Sequence, residues 1–288
     1  MIRKILLWLR IIRPQTLFAS LVPVLVGLCT VRMSGEPLKA WFPVWTAVLT
    51  AVCALSLQIL SNLINDYYDF LRGTDKAGRA GFRRALAEGE TGGKQMKTAC
   101  FCALGAAVLT GAFLILAGGW VILLIGLSAI LFAWLYTATS HSLSYLGIAD
   151  IFVFLYYGVI ASSGTAFLMT HRFLPAAFHA GAVCGLISMC VLMINNLRDL
   201  EGDREAGKKT LPVRFGKRAG EFIMLAEVLL MPVFAYLAFG FSPAVFVVIA
   251  GLALFAAVLK AQGVEYNRCL LCTGLVNVLY LILVLLSF

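Results

Sequence analysis

Phe42-Pro-Val-Trp-Thr-Ala-Val-Leu-Thr-Ala-Val-Cys-Ala-Leu-Ser-Leu-Gln-Ile-Leu-Ser-Asn-Leu-Ile64 runs for 23 residues without a charge, and Asn65-Asp66-Tyr67-Tyr68-Asp69 follows at once. A membrane-crossing helix needs about 20 mostly apolar residues. The stretch therefore reads as a span that ends in carboxylates, with the helix running on past Asn65. Eight other stretches qualify, at roughly 15–33, 97–117, 119–138, 148–170, 176–196, 220–239, 241–260 and 268–287. Each must be a helix, because lipid offers no partner for bare backbone groups. The expected fold is an all-α polytopic membrane protein with nine transmembrane helices, residues 1–288 forming a single transmembrane domain.

Composition agrees. Of the 288 residues, 61% are hydrophobic and 13% charged, against about 25% charged in a soluble domain. The net charge of +9 does not point to nucleic acid, since no soluble basic face is left to bind it. Basic residues flanking apolar spans set orientation instead. With nine spans, 20 of the 23 lysines and arginines fall on one side; the other side holds Arg32, Lys39 and Arg172. The rich side is expected to face the cytoplasm, with the N-terminus, in the cell (inner) membrane. The first dozen residues mix Arg3, Lys4 and Arg10 with apolar residues and read as an interfacial helix, not a cleaved signal. The eight cysteines lie mostly in apolar stretches, where they behave as small hydrophobes.

The basic side is also acidic. Nine of the 14 carboxylates sit in the loops after the second and sixth spans. Orientation alone needs no aspartates at span ends. The first loop opens Asn62-Leu-Ile-Asn65-Asp66-Tyr-Tyr-Asp69-Phe-Leu-Arg-Gly73-Thr-Asp75, and the second opens Asn195-Asn196-Leu-Arg198-Asp199-Leu-Glu-Gly-Asp203. Asn65 and Asn195 are 130 residues apart, as are Asp69 and Asp199. The two spans are an even number of crossings apart, so the repeat is parallel and both copies point the same way. Residues four apart share a helix face, which groups Asn65 with Asp69 and Asn195 with Asp199 and Asp203. Hard oxygen ligands of this kind suit Mg²⁺, usually completed by substrate phosphates. Lys76, Arg79, Arg198, Lys208 and Lys209 stand nearby to take phosphate charge. A metal–diphosphate cluster at the mouth of an apolar bundle points to an allylic diphosphate, its isoprenoid tail housed in the bundle. The acceptor expected is an electron-rich aromatic, with Tyr67, Tyr68 and Tyr136 as candidate shields for the allylic cation.

These motifs resemble those of the intramembrane aromatic prenyltransferase superfamily, and within it the 1,4-dihydroxy-2-naphthoate polyprenyltransferase branch of menaquinone biosynthesis. The residues that carry the likeness are Arg13-Pro-Gln-Thr-Leu17, Asn62 through Phe70 with Gly73 and Asp75, Tyr136-Thr137, Leu146-Gly-Ile-Ala-Asp150 with Gly158, and Asn195 through Asp199 with Gly207-Lys-Lys-Thr-Leu211. The resemblance implies nine helices around a central cavity open laterally to lipid. It implies that Asn65, Asp69, Asp199 and Asp203 are catalytic, and that these four with Asn195 handle Mg²⁺. Arg13, Asn62, Asp66, Asp75, Lys76, Tyr136, Thr137, Asn195, Arg198, Lys208 and Lys209 would contact substrate. The reaction implied is Mg²⁺-dependent transfer of a polyprenyl group from polyprenyl diphosphate to 1,4-dihydroxy-2-naphthoate, with decarboxylation, giving demethylmenaquinone. Two segments depart from the branch's usual pattern: Ala138-Thr-Ser-His141-Ser replaces a glycine-rich stretch, and Phe82-Arg-Arg-Ala-Leu86 stands where a proline-rich turn is usual. Both bear on the acceptor, so 1,4-dihydroxy-6-naphthoate and 4-hydroxybenzoate stand as alternatives, and His141 is a candidate acceptor contact. A transporter is the alternative of another class. It calls for ionisable groups near the bilayer midplane, whereas away from their ends the spans are almost uncharged, apart from Asp150, itself near an end, and Glu227.

Overall fold

The computed structural model describes residues 2–73, 84–139 and 142–287. An amphipathic helix α1 (Ile2–Ile12) leads into α2 (Pro14–Ser34), followed by α3 (Pro43–Leu71) and α4 (Gly93–Leu135). After the short α5 (Leu143–Leu146) come α6 (Ala149–Phe154), a π-helical turn Leu155–Val159 and α7 (Ile160–Thr170), which together make one crossing. The remainder is α8 (Pro175–Arg198), α9 (Leu200–Glu205), α10 (Leu211–Phe215), α11 (Lys217–Phe239), α12 (Phe241–Lys260) and α13 (Tyr266–Leu285). Pro14, Pro43 and Pro175 open α2, α3 and α8, where the missing N–H would find no intrahelical partner anyway.

Among the described residues, 8 helices are long and apolar enough to cross a membrane. At about 1.5 Å per residue, the 43 residues of α4 would reach roughly twice the hydrocarbon thickness of about 30 Å. They do not run straight. Gly119 adopts φ 64°, ψ −151°, a conformation open to glycine and costly for residues with a Cβ. The break divides α4 into two crossings and brings the spans to nine, with the divide where the sequence places it. α3 continues past Asn65 to Leu71, also as expected.

α8 is the enclosed centre of the bundle, its apolar residues forming one core with α11, α12, α13 and Val22, Val26 and Cys29 of α2. α11 packs behind α8, and α12 packs on α11 and α13; neither contributes to the cavity wall, which is lined by the other spans. α1 seats Leu7, Trp8 and Ile11 against Leu63, Ala85 and Leu86 and leaves Ile5, Leu6 and Leu9 outward, the arrangement of an interfacial helix.

Candidate active site

The last turns of α3 present Asn62, Asn65 and Asp69 to the cavity. Asn62 Nδ2 donates to Ile12 O at 3.0 Å and to Thr16 Oγ1 at 2.9 Å, tying α3 to the α1–α2 junction. At that junction Arg13 has φ 58°, a left-handed conformation that costs a non-glycine residue on the order of 1–3 kcal/mol. The turn aims its guanidinium at Asp66, which also receives Arg84. Asp66 is only 2% exposed, and both arginines line the cavity while the aspartate stands behind them. Arg84 Nη2 also donates to Asn65 Oδ1 at 3.4 Å, and Asn65 Nδ2 donates to Thr137 Oγ1 at 3.1 Å.

The second motif is built differently. α8 stops at Arg198, and Asp199 takes φ −95°, ψ 12° between two helices. Its carboxylate lies across its neighbour: Arg198 Nε and Nη2 donate to the two Asp199 oxygens at 2.9 and 2.7 Å. Arg198 Nη1 is fixed in turn by Asn267 Oδ1 at 2.8 Å. Asp203, in α9, points toward α3. Lys208 Nζ lies 3.3 Å from Asp203 Oδ1 and 4.0 Å from Asp69 Oδ2, so one ammonium joins the two motifs. Burial alone would depress that lysine's pKa, but Asp69 and Asp203 outweigh it and hold the ammonium above the usual lysine range. The Tyr145 ring, in α5, supports Lys208 from 5.5 Å and Arg72 from 4.8 Å.

Arg13, Asn62, Asn65, Asp69, Tyr136, Asn195, Arg198, Asp199, Asp203 and Lys208 thus come to one cavity. Asp66, Thr137 and Lys209 do not line it: Thr137 is buried behind Asn65, and Lys209 is exposed, its backbone N–H bonded to Tyr145 O. Asp75, Lys76, Arg79 and His141 lie outside the described residues. Tyr67 and Tyr68 stack edge-on with each other, and Tyr68 with Trp134, away from the cavity. Arg84, Asp150 and Tyr157 are wall residues that the motifs did not single out for a role.

The cavity holds about 860 Å³, at the upper end for a small-molecule site. Its mouth is polar. Farther in, Ala54, Leu57, Leu114, Ile122 and Leu168 make it hydrocarbon. Among the described residues no three carboxylate, imidazole or thiolate groups are gathered as a ready metal cluster. The donor set nevertheless fits a hard cation. Carboxylate and amide oxygens from two helix ends share the mouth, and between Asp69 and Asp203 a positive charge already sits, that of Lys208.

Residues 20–285 match the UbiA prenyltransferase family. The chain is 36% identical over 216 residues to 1,4-dihydroxy-2-naphthoate octaprenyltransferase of Escherichia coli K12, covering 73% of this chain and 68% of that one. It is 32% identical over 253 residues to the enzyme of that name from Haemophilus influenzae, covering 84% and 79%. A UbiA homolog from Archaeoglobus fulgidus, solved bound to GPP and Mg²⁺, superposes with a TM-score of 0.70 over 97% of this chain and 98% of its own, at 19% identity. The archaeal likeness speaks to fold alone, but the family match spans nearly every helix that builds the cavity, and the chain belongs to the UbiA prenyltransferase family.

Proposed function

We propose that this membrane prenyltransferase transfers a polyprenyl group from polyprenyl diphosphate to 1,4-dihydroxy-2-naphthoate, with loss of the ring carboxylate, giving demethylmenaquinone in its hydroquinone form. The observation that carries the reading is the meeting of Asp69 and Asp203 on Lys208 at the polar mouth of a hydrocarbon cavity. That mouth suits a diphosphate, and the wall below it suits an isoprenoid. The choice of acceptor is supported by the names of the bacterial relatives.

Asn65, Asp69, Asn195, Asp199 and Asp203 would hold Mg²⁺, which supplies charge neutralisation to the departing diphosphate. Lys208 and Arg198 offer N–H donors to phosphate oxygens from within the same wall. Arg13 and Arg84, fixed by Asp66, add a second cationic rim, suited to an acceptor carboxylate. Phe18, Leu271 and Leu275 line the cavity yet are 46%, 53% and 62% exposed. A wall so thin on the lipid side gives the prenyl tail a lateral path between α2 and α13. Tyr136 and the rings of Tyr156, Tyr157 and Phe132 face the cavity, and their π-faces can shield an allylic cation from water and from the diphosphate. The mouth faces the cytoplasm by the distribution of basic residues, and residues 1–288 act as one transmembrane domain.

The test is an incubation of purified protein with Mg²⁺ and polyprenyl diphosphate, offering in turn 1,4-dihydroxy-2-naphthoate, 1,4-dihydroxy-6-naphthoate and 4-hydroxybenzoate. Mass analysis is expected to find one prenylated product, from the first acid, lighter by carbon dioxide. A product from another acid alone would reassign the acceptor. EDTA is expected to abolish transfer and added Mg²⁺ to restore it; turnover indifferent to chelation would remove the metal from the mechanism.

A further inference from the structure

Four acidic residues line the cavity among those described: Asp69, Asp150, Asp199 and Asp203. Three belong to the mouth and are engaged there by Lys208 or Arg198. Asp150 belongs to neither motif. It opens α6, which packs against α8, is 6% exposed, and its Oδ1 is buried without a hydrogen-bond partner. A carboxylate oxygen left so costs free energy on the order of 1–3 kcal/mol unless a ligand donates to it. Its surroundings say what kind of ligand. Phe152, Val153, Tyr156 and Tyr157 follow it along the same wall, a surface fit for a flat ring. Tyr136 lines the same cavity as Asp150, Asp69 and Asp203. Asp150 therefore opens to the same cavity as the diphosphate mouth. Glu227, the other acid buried in a span, lies in α11 and contributes nothing to the wall.

We propose that Asp150 is the catalytic base of the transfer, taking the proton from a ring hydroxyl of the aromatic acceptor as that ring attacks the prenyl group. The assignment rests on the aromatic-acceptor reading above. In the step, the acceptor O–H bond breaks and its proton goes to an Asp150 oxygen. The O–H electron pair becomes the π-bond of a ring ketone, and a ring π-pair forms the new bond to the allylic carbon. The allylic C–O bond breaks, and its electron pair leaves on the diphosphate. When the ring carboxylate departs as carbon dioxide, the pair it leaves behind restores the aromatic ring, and the ring oxygen recovers its proton from Asp150. Atoms and charge balance with no further reagent.

The experiment compares the protein with its Asp150→Asn and Asp150→Glu variants on whichever aromatic acid the three-acid screen shows to be prenylated. Base catalysis contributes about 10²–10⁴-fold. Asp150→Asn is therefore expected to lower kcat at least about 10²-fold with an unchanged KM for polyprenyl diphosphate, and Asp150→Glu to recover part of the loss. An acceptor with the ring hydroxyls methylated is expected to be equally poor with wild type and Asp150→Asn, because the proton and its base are two halves of one interaction. Wild-type kcat in Asp150→Asn would overturn the assignment. So would loss of polyprenyl diphosphate binding in both variants, which would make Asp150 part of the diphosphate site or of the fold. If wild type prenylates none of the three acids, the aromatic-acceptor reading fails, and Asp150's role falls with it.

Discussion

Asp69→Ala is expected to reduce prenyl transfer by at least about 10³-fold, equivalent to roughly 4 kcal/mol of transition-state stabilisation, while the protein stays folded. Both halves of that expectation come from the geometry around Lys208. The lysine lies between Asp69 and Asp203, so removing Asp69 leaves it the nearer carboxylate at 3.3 Å. The buried ammonium keeps a counter-charge, and the mouth loses the α3 carboxylate that shares Lys208 with Asp203. Lys208→Met should behave in the opposite sense for stability. It withdraws the cation that two buried carboxylates share, and breaking a buried pair from that side costs about 3–5 kcal/mol. The check is transfer rate beside thermal unfolding in detergent for both variants. Asp69→Ala with more than about a tenth of wild-type turnover would show that the meeting of the two motifs is not what drives the chemistry.

The same pair of motifs marks how far the sequence could be read. Asn65 and Asp69 recur 130 residues later as Asn195 and Asp199, and that spacing alone brings both span ends to one mouth. The finer equivalence fails because the backbone differs: Asp69 lies within α3, whereas α8 breaks at Asp199. Four-residue spacing assumes an unbroken helix. At the break Asp199 folds onto Arg198, and it is Asp203 that answers Asp69. Asp66 follows Asn65 by one residue, about 100° round the helix, and that angle turns it from the cavity to the α1–α2 junction. There it collects Arg13 and Arg84. Arg84 comes from a loop, where no periodicity tells which charge turns inward. Asp150 stands out in the sequence only as a charge near a span end; that it lines the cavity follows from the packed bundle.

The π-helical turn at Leu155–Val159 had no signal of its own, and the second large expectation concerns what holds it there. Gly158→Ala is expected to cost about 3 kcal/mol or more. A Cβ at Gly158 would sit 2.4 Å from Gly181 O and 2.5–2.6 Å from the N and Cα of Gly185. All three are backbone atoms of α8, so no rotamer change relieves the clash and the helices must part. Small residues let helix backbones approach in lipid, where packing replaces the hydrophobic effect as the force between them. Here the approach has a chemical purpose. π-turns widen a helix locally and recur at functional sites, and this one is where Tyr156 and Tyr157 enter the cavity wall. Separating α8 from the turn would therefore loosen the aromatic wall as well as the core. Gly105→Ala, also inside a helix but with nothing within 4 Å of its added Cβ, serves as the control. It is expected to be neutral or to gain up to about 1 kcal/mol from helix propensity. Unfolding midpoints in detergent decide it: equal midpoints for the two alanine variants would mean that the contact between Gly158 and α8 does not set the bundle's spacing.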